Sequence, residues 1–352
     1  MSGRAAAAPP PASPATASPP TASSAAAPRP DQRLRPGWIT VAGKEVADHL
    51  LSMRFYVLMV VLSVSALIPL YFAAERIRSL AEGASGQPAV FLALFVLGPE
   101  GLNLGPVTFT VQAFVAIAAP LLGVAFAFDS VNGERHEGTL PRLLSQPIYR
   151  DDVINGKFAA GLLVITLGLA TVLVFIAGFG MLRLGITPSF EEILRLIGWL
   201  GVTALYVALW LAFGTLLSVV IRRAATSALV GFGVWLFVAI PIAGPLLVSL
   251  LGGVLASGAT TAASYYGTLQ WVQRLLPGQV YAEASIALLN PNVTSVSASD
   301  LYSAQSLPTQ DTLLSFDQSL LLVWPHIVIL FAITIGCFAL AYARFMRQEV
   351  RA

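Results

Sequence analysis

The chain has 352 residues, 56% of them hydrophobic and 11% charged, with a formal net charge of +2. Water-soluble domains carry roughly a quarter charged residues, so this composition excludes an ordinary soluble fold and points to a hydrocarbon solvent. The small, scattered basic excess points away from nucleic acid. The single cysteine, Cys337, excludes an intrachain disulfide and a cysteine metal cluster. Lys44 and Lys157 are the only lysines, which reads as codon bias.

Residues 1–36 form an Ala/Pro/Ser tract without the continuous apolar core of a signal peptide. Frequent proline forbids helix there, so a disordered, partly polyproline-like cytoplasmic tail is expected. Residues 37–352 form the membrane domain. From Trp38 to Arg54, Val41, Val46, Leu50 and Leu51 fall toward one face and Lys44, Glu45, Asp48 and His49 mostly elsewhere. That pattern predicts an N-terminal amphipathic helix, either in the membrane interface or as a cytosolic extension of the first span.

A hydrocarbon core of about 30 Å requires about 20 apolar residues per helix. Six stretches qualify: Phe55–Ala74, Val111–Phe128, Phe158–Leu182, Leu196–Ile221, Ala224–Leu251 and Leu320–Tyr342. Pro241 and Pro245 interrupt the fifth, which should kink or break into two half-helices. The shorter run Ala89–Leu97 cannot cross and is read as interfacial or re-entrant. With both termini cytoplasmic, fifteen of the 20 Lys and Arg lie inside, as the positive-inside rule requires. Arg76 and Arg78, close to a span end on the outside, fit this topology least well. The expected fold is therefore an all-α integral membrane protein of six transmembrane helices. Its large outer loop, 252–319, contains an amphipathic stretch that ends at Pro291 and dips back toward the bilayer.

The inner loop Asp129–Lys157 carries the most information. Gly133 to Glu137 packs four ionisable groups behind a glycine, Thr139 can cap a short helix with Pro141 in its first turn, and Pro147 stops it. Leu140, Leu143 and Leu144 share one face of that helix. Such a helix can dock into a hydrophobic groove of another protein or rest on the membrane surface, and the spacing alone leaves both open. No G-x-x-x-x-G-K-[ST] loop occurs anywhere, so the chain lacks a phosphate cradle of its own.

The run from Gly133 to Lys157 resembles the inner loop of the membrane subunits of type-2 ABC exporters. The matching residues are Gly133, Glu134, Arg135, Gly138, Thr139, Leu140, Leu143, Leu144, Pro147, Arg150, Gly156 and Lys157. A looser likeness runs from Trp38 onward and is greatest to the multi-span permeases of the nitrous oxide reductase maturation type; the Pro-rich tail does not fit. The resemblance implies a permease that forms a homodimer in the cytoplasmic membrane and pairs with ATP-hydrolysing subunits. ATP and magnesium would be bound by that partner, with no cofactor or metal in this chain. The inner loop would form a cytoplasmic coupling helix, with Glu134, Arg135, Glu137, Thr139, Leu140, Leu143 and Leu144 as the ATPase-docking set.

Two further readings compete with an exporter: a permease that relays ATP-driven motion to an extracytoplasmic partner, and a membrane enzyme or assembly factor. Against an enzyme, His136 and Glu137 lack a second histidine four residues on, and Asp151-Asp152 also suits a helix N-terminus. The spans themselves contain no carboxylate. His326 follows Pro325 near the outer end of the last span, where it is either functional or bonded to a backbone carbonyl freed by the proline.

Overall fold

The structure is a computed structural model that describes residues 3, 36–84, 89–99, 109–138, 149–239, 243–296 and 313–348. Residues from Pro36 onward belong to one compact unit. Every regular element among the described residues is helical: α1 (Gly37–Leu50), α2 (Met53–Ala84), α3 (Ala93–Val96), α4 (Val111–Ala127), α5 (Asn132–His136), α6 (Arg150–Leu184), α7 (Phe190–Val220), α8 (Ala224–Ala239), α9 (Ala243–Leu255), α10 (Ala262–Gln273), α11 (Pro277–Leu289) and α12 (Phe316–Met346), with a single 3₁₀ turn at Ala256–Gly258.

Five helical segments are long and apolar enough to cross a bilayer: α2, α4 continued through α5, α6, α7 and α12. The fifth expected span, Ala224–Leu251, takes the form of two shorter apolar helices, α8 and α9. Pro241 lies outside the described residues. At about 1.5 Å per residue, the 16 residues of α8 and the 13 of α9 each fall short of a crossing.

The long helices begin earlier than hydropathy indicates. α6 starts at Arg150, with Asp151 and Asp152 in its first turn, and α7 starts behind a Ser189–Glu192 capping box. Helix caps and acidic first turns extend these helices into polar sequence that a hydropathy window trims away.

The spans are apolar outside as well as inside, as lipid contact demands. On α2 the buried positions include Leu62, Ala66, Leu70, Ala73 and Ile77, which recur at spacings of three and four, while Val57, Val60, Val61, Val64 and Ile68 are exposed. On α12 the inward stripe includes Ser319, His326 and Thr334, with Trp324, Val328, Phe331 and Ile335 facing out. The polar groups of this stripe thus point into the bundle.

Two regions depart from the sequence reading. The run Ala89–Leu97 does not lie on a surface: Phe91 to Leu97 are all buried, α3 packs on α2, α4 and α11, and Phe95 meets Trp199 edge-on at 5.5 Å. Glu192 fixes the run by accepting the Phe91 N–H at 3.0 Å, while its other oxygen caps α7. The amphipathic stretch ending at Pro291 is two helices divided by Pro277, which occupies the first turn of α11. α11 is no surface helix; Val280, Tyr281, Glu283, Ala284 and Leu288 are fully buried against α7 and α12.

Candidate functional site at the base of the inner loop

α1 forms where the apolar spacing predicts, with Val41 buried and Val46 and Leu50 packed on the core. Leu51 leaves that face; it closes the helix and is 78% exposed. α1 packs along the first turns of α6, where a Cβ on Gly156 would come within 2.8 Å of the Trp38 carbonyl. Glycine there lets the two backbones approach closely, which brings Glu45 of α1 beside Lys157 of α6.

The Lys157 ammonium is the centre of the site. Its side chain is 7% exposed and lies 2.9 Å from Glu45 and 2.7 Å from Glu134. Lys44 reaches the same Glu45 carboxylate at 3.5 Å and Asp48 at 2.7 Å. The chain's only two lysines therefore share one carboxylate, so their placement is chemical and not merely codon bias. The hydrogen bond to Asp48, and after it the charges of Glu45 and Asp48, hold the Lys44 ammonium above its usual range against the opposing effect of burial. Burial holds the neighbouring His49 imidazole below its usual range, in spite of the Glu45 charge.

A second ion pair secures the start of the loop. Arg54 donates to both oxygens of Asp129, at 2.9 and 3.2 Å, and lies 5.2 Å over the Phe128 ring. Ser218 of α7 accepts the N–H groups of Val131 and Asn132, and Asn132 donates to the Ile221 carbonyl at 3.2 Å. These bonds hold α5 against the end of α7. The C-terminal residues join the same end of the bundle, with Arg150 donating to the Gln348 carbonyl and Gln348 to that of Val219. Between α1, α5 and the helix ends lies a cleft of about 450 Å³, lined by Glu45, His49, Arg54, Asp129, Glu134, Glu137 and Lys157 above a floor of Phe126 and Leu211.

The predicted docking residues separate into three groups. Glu134 is turned inward to Lys157, and Arg135 is half-buried with a long 3.5 Å contact to the Val219 carbonyl. Glu137 is exposed at the cleft mouth. Thr139, Leu140, Leu143 and Leu144 lie outside the described residues. Gly138 adopts φ +70°, a left-handed conformation that suits glycine and turns the chain out of α5 just before that segment. Sequence reasoning missed Glu45 and Ser218; an acidic residue about two turns into an amphipathic helix was the only signal for the former.

The family model described as "ABC-2 family transporter protein" matches residues 39–350. The chain belongs to the ABC-2 transporter family. It is similar to two proteins named "Probable ABC transporter permease protein NosY". The one from Stutzerimonas stutzeri is 29% identical over 191 residues, 52% of this chain and 64% of the relative. The one from Pseudomonas aeruginosa is 28% identical over 147 residues, 40% of this chain and 51% of the relative. The chain thus spans between half and two-thirds of the length of these relatives. Multi-pass helical membrane character and family membership agree.

At the opposite end of the bundle, His326 has a partner that the sequence did not suggest. Its Nε2 lies 2.9 Å from Glu283, a fully buried carboxylate that α11 inserts between the spans. The freed-carbonyl account of His326 is therefore replaced by a side-chain pair. A carboxylate does reach the bundle interior, although it comes from the outer segment. Among the described residues no group of three or more His, Cys, Asp or Glu side chains is placed to hold a metal ion.

Proposed function

We propose that this chain is the membrane-spanning permease subunit of an ABC transporter, and that the inner loop Asp129–Lys157 receives a separate ATP-hydrolysing subunit. The observation that carries this reading is the family match over residues 39–350, together with the bracing of the loop. The Arg54–Asp129 pair ties the loop's first residue to α2, and Lys157 ties its last residue to α1 and Glu134. A segment braced at both ends can pass a push to several helices at once. In this reading Leu140, Leu143 and Leu144 supply buried area on the ATPase, with Thr139 capping their helix. Glu137 and Arg135 set register and affinity, and Glu134 positions the loop through Lys157 instead of touching the partner.

α8 and α9 together make one further crossing, which returns the C-terminus to the side of α1. The cytoplasm is the proposed location of that side, and a homodimer in the cytoplasmic membrane is the proposed assembly. α1 lies in the membrane interface, with Trp38 and Ile39 exposed toward lipid. Export coupled to ATP hydrolysis in the partner is the first functional reading. A relay of motion to an extracytoplasmic partner is the second. It is favoured by the way Arg274, Glu283 and His326 tie the outer segment to the last helix.

Leu143→Asp should abolish co-purification with the ATPase while leaving insertion intact; unchanged co-purification would remove the docking assignment. A reporter at Ser257 should read outside and one at Ala352 inside, and the same side for both would remove the six-crossing topology.

A further inference from the structure

The group around Glu283 lies apart from the proposed docking site, and its side-chain geometry stands whether or not an ATPase docks. Glu283 is fully buried on α11. Its Oε2 lies 2.7 Å from Arg274 Nε and 2.9 Å from His326 Nε2, and its Oε1 accepts from Gln279 at 3.1 Å. Arg274 follows α10 and His326 belongs to α12, so three elements meet on one carboxylate.

An ionised carboxylate only accepts hydrogen bonds, so His326 Nε2 carries the hydrogen. In the neutral ring Nδ1 is then a bare lone pair, and it is buried with no hydrogen-bond partner. In this state the site is electrically balanced, with one guanidinium, one carboxylate and one neutral imidazole. A proton on Nδ1 would create a buried donor without an acceptor and leave one positive charge uncompensated.

Among the described residues packed against this group, no unpaired charge offsets that excess. α3, α4 and α8, which pack on α11, contain no charged residue. On α7, Glu191 pairs with Arg195, Glu192 caps the helix and holds Phe91, and Arg195 donates to the Leu288 carbonyl and Ser319. Asp317 on α12 is exposed in the first turn, more than two turns from His326. α6 carries its charges at its two ends, where Lys157 and Arg183 are already paired.

We propose that Arg274, Glu283 and His326 form a proton-operated latch that holds the segment 262–289 to the last helix and releases it when His326 takes up a proton. The proton comes from solvent at the edge of the group where Arg274 is partly exposed. Release is local, because the rest of the α7–α12 contact, including Val323, Leu330 and Thr334, does not depend on the charge.

The test is hydrogen exchange on the full-length purified protein in detergent, at about pH 7.5 and about pH 5.5, corrected for intrinsic rates. Amides of residues 280–289 should lose protection by about tenfold at the lower pH, while those of residues 160–180 keep theirs. His326→Gln, which retains an N–H donor at the Nε2 position but cannot titrate, should keep residues 280–289 protected at both values. Constant protection in the wild type would overturn the latch, as would equal losses in wild type and His326→Gln. Should His326→Gln fail to reach the membrane, the wild-type contrast between the two segments still decides. Reporter fusions and co-purification test topology and docking separately, so failure there would not be confused with failure here.

Discussion

The two ends of the helix bundle handle charge in opposite ways. At the loop base, Lys44, Arg54, Glu45, Asp129 and Glu134 pair around an open cleft, and most keep some contact with solvent. At the other end, Arg195 is 1% exposed and donates to Ser319 and to the carbonyls of Leu288 and Leu314, and Glu283 is fully buried under Arg274 and His326. Exposed pairs cost little to form or to break. Buried ones are costly to disturb once one partner is gone. In the proposed reading, one end is met by another surface and the other stays shut until its charge changes.

The largest effect should come from the shut end. Glu283→Ala strands Arg274 and His326 and should lower stability by about 3–5 kcal/mol, read as a drop in thermal midpoint in detergent. Arg195→Leu leaves the Leu288 and Leu314 carbonyls without their donor and should cost about 2–3 kcal/mol by the same measurement.

At the open end, Lys157→Met leaves Glu45 and Glu134 facing each other and should cost about 2 kcal/mol. Adding Glu45→Gln and Glu134→Gln should recover the thermal midpoint but not partner binding, if the ion pairs position the loop. Recovery of both would reduce Lys157 to a packing role.

The two ends should also differ in pH response. Burial pushes the Glu283 carboxyl up, but hydrogen bonds from His326, Gln279 and Arg274 outweigh it and hold the group below the usual carboxylate range. A carboxylate held low adds stability that is fully present above its ordinary pKa and is lost as pH falls through the lowered one. The thermal advantage of wild type over Glu283→Gln should therefore shrink toward acid. Lys44 is held high, so its contribution is complete below the ordinary lysine range and fades as pH rises through the raised value. Lys44→Ala should have the smallest effect, below about 0.5 kcal/mol, because the side chain is 62% exposed.

Much of this contrast was hidden in the sequence. Hydropathy located the five long apolar helices, and it read α8 and α9 as one apolar run. Helical spacing found α1, and the Gly133–Lys157 motif marked the inner loop. Hydropathy measures length and polarity but not partners, so it could not join Glu283 to a histidine 43 residues away. It read Ala89–Leu97 as too short to cross, yet could not show that Glu192 would pull it into the core. The resemblance placed Glu134 among partner contacts, and the sequence could not show that Lys157 lies 2.7 Å from it.

The most direct test of the central claim is photo-crosslinking from residue 137 and residue 143, with residue 257 as the control, in cells that make the partner ATPase. Crosslinks to the ATPase from 137 and 143 but not from 257 are the predicted result. No crosslink from the inner loop, or one from 257 alone, would contradict docking at Asp129–Lys157.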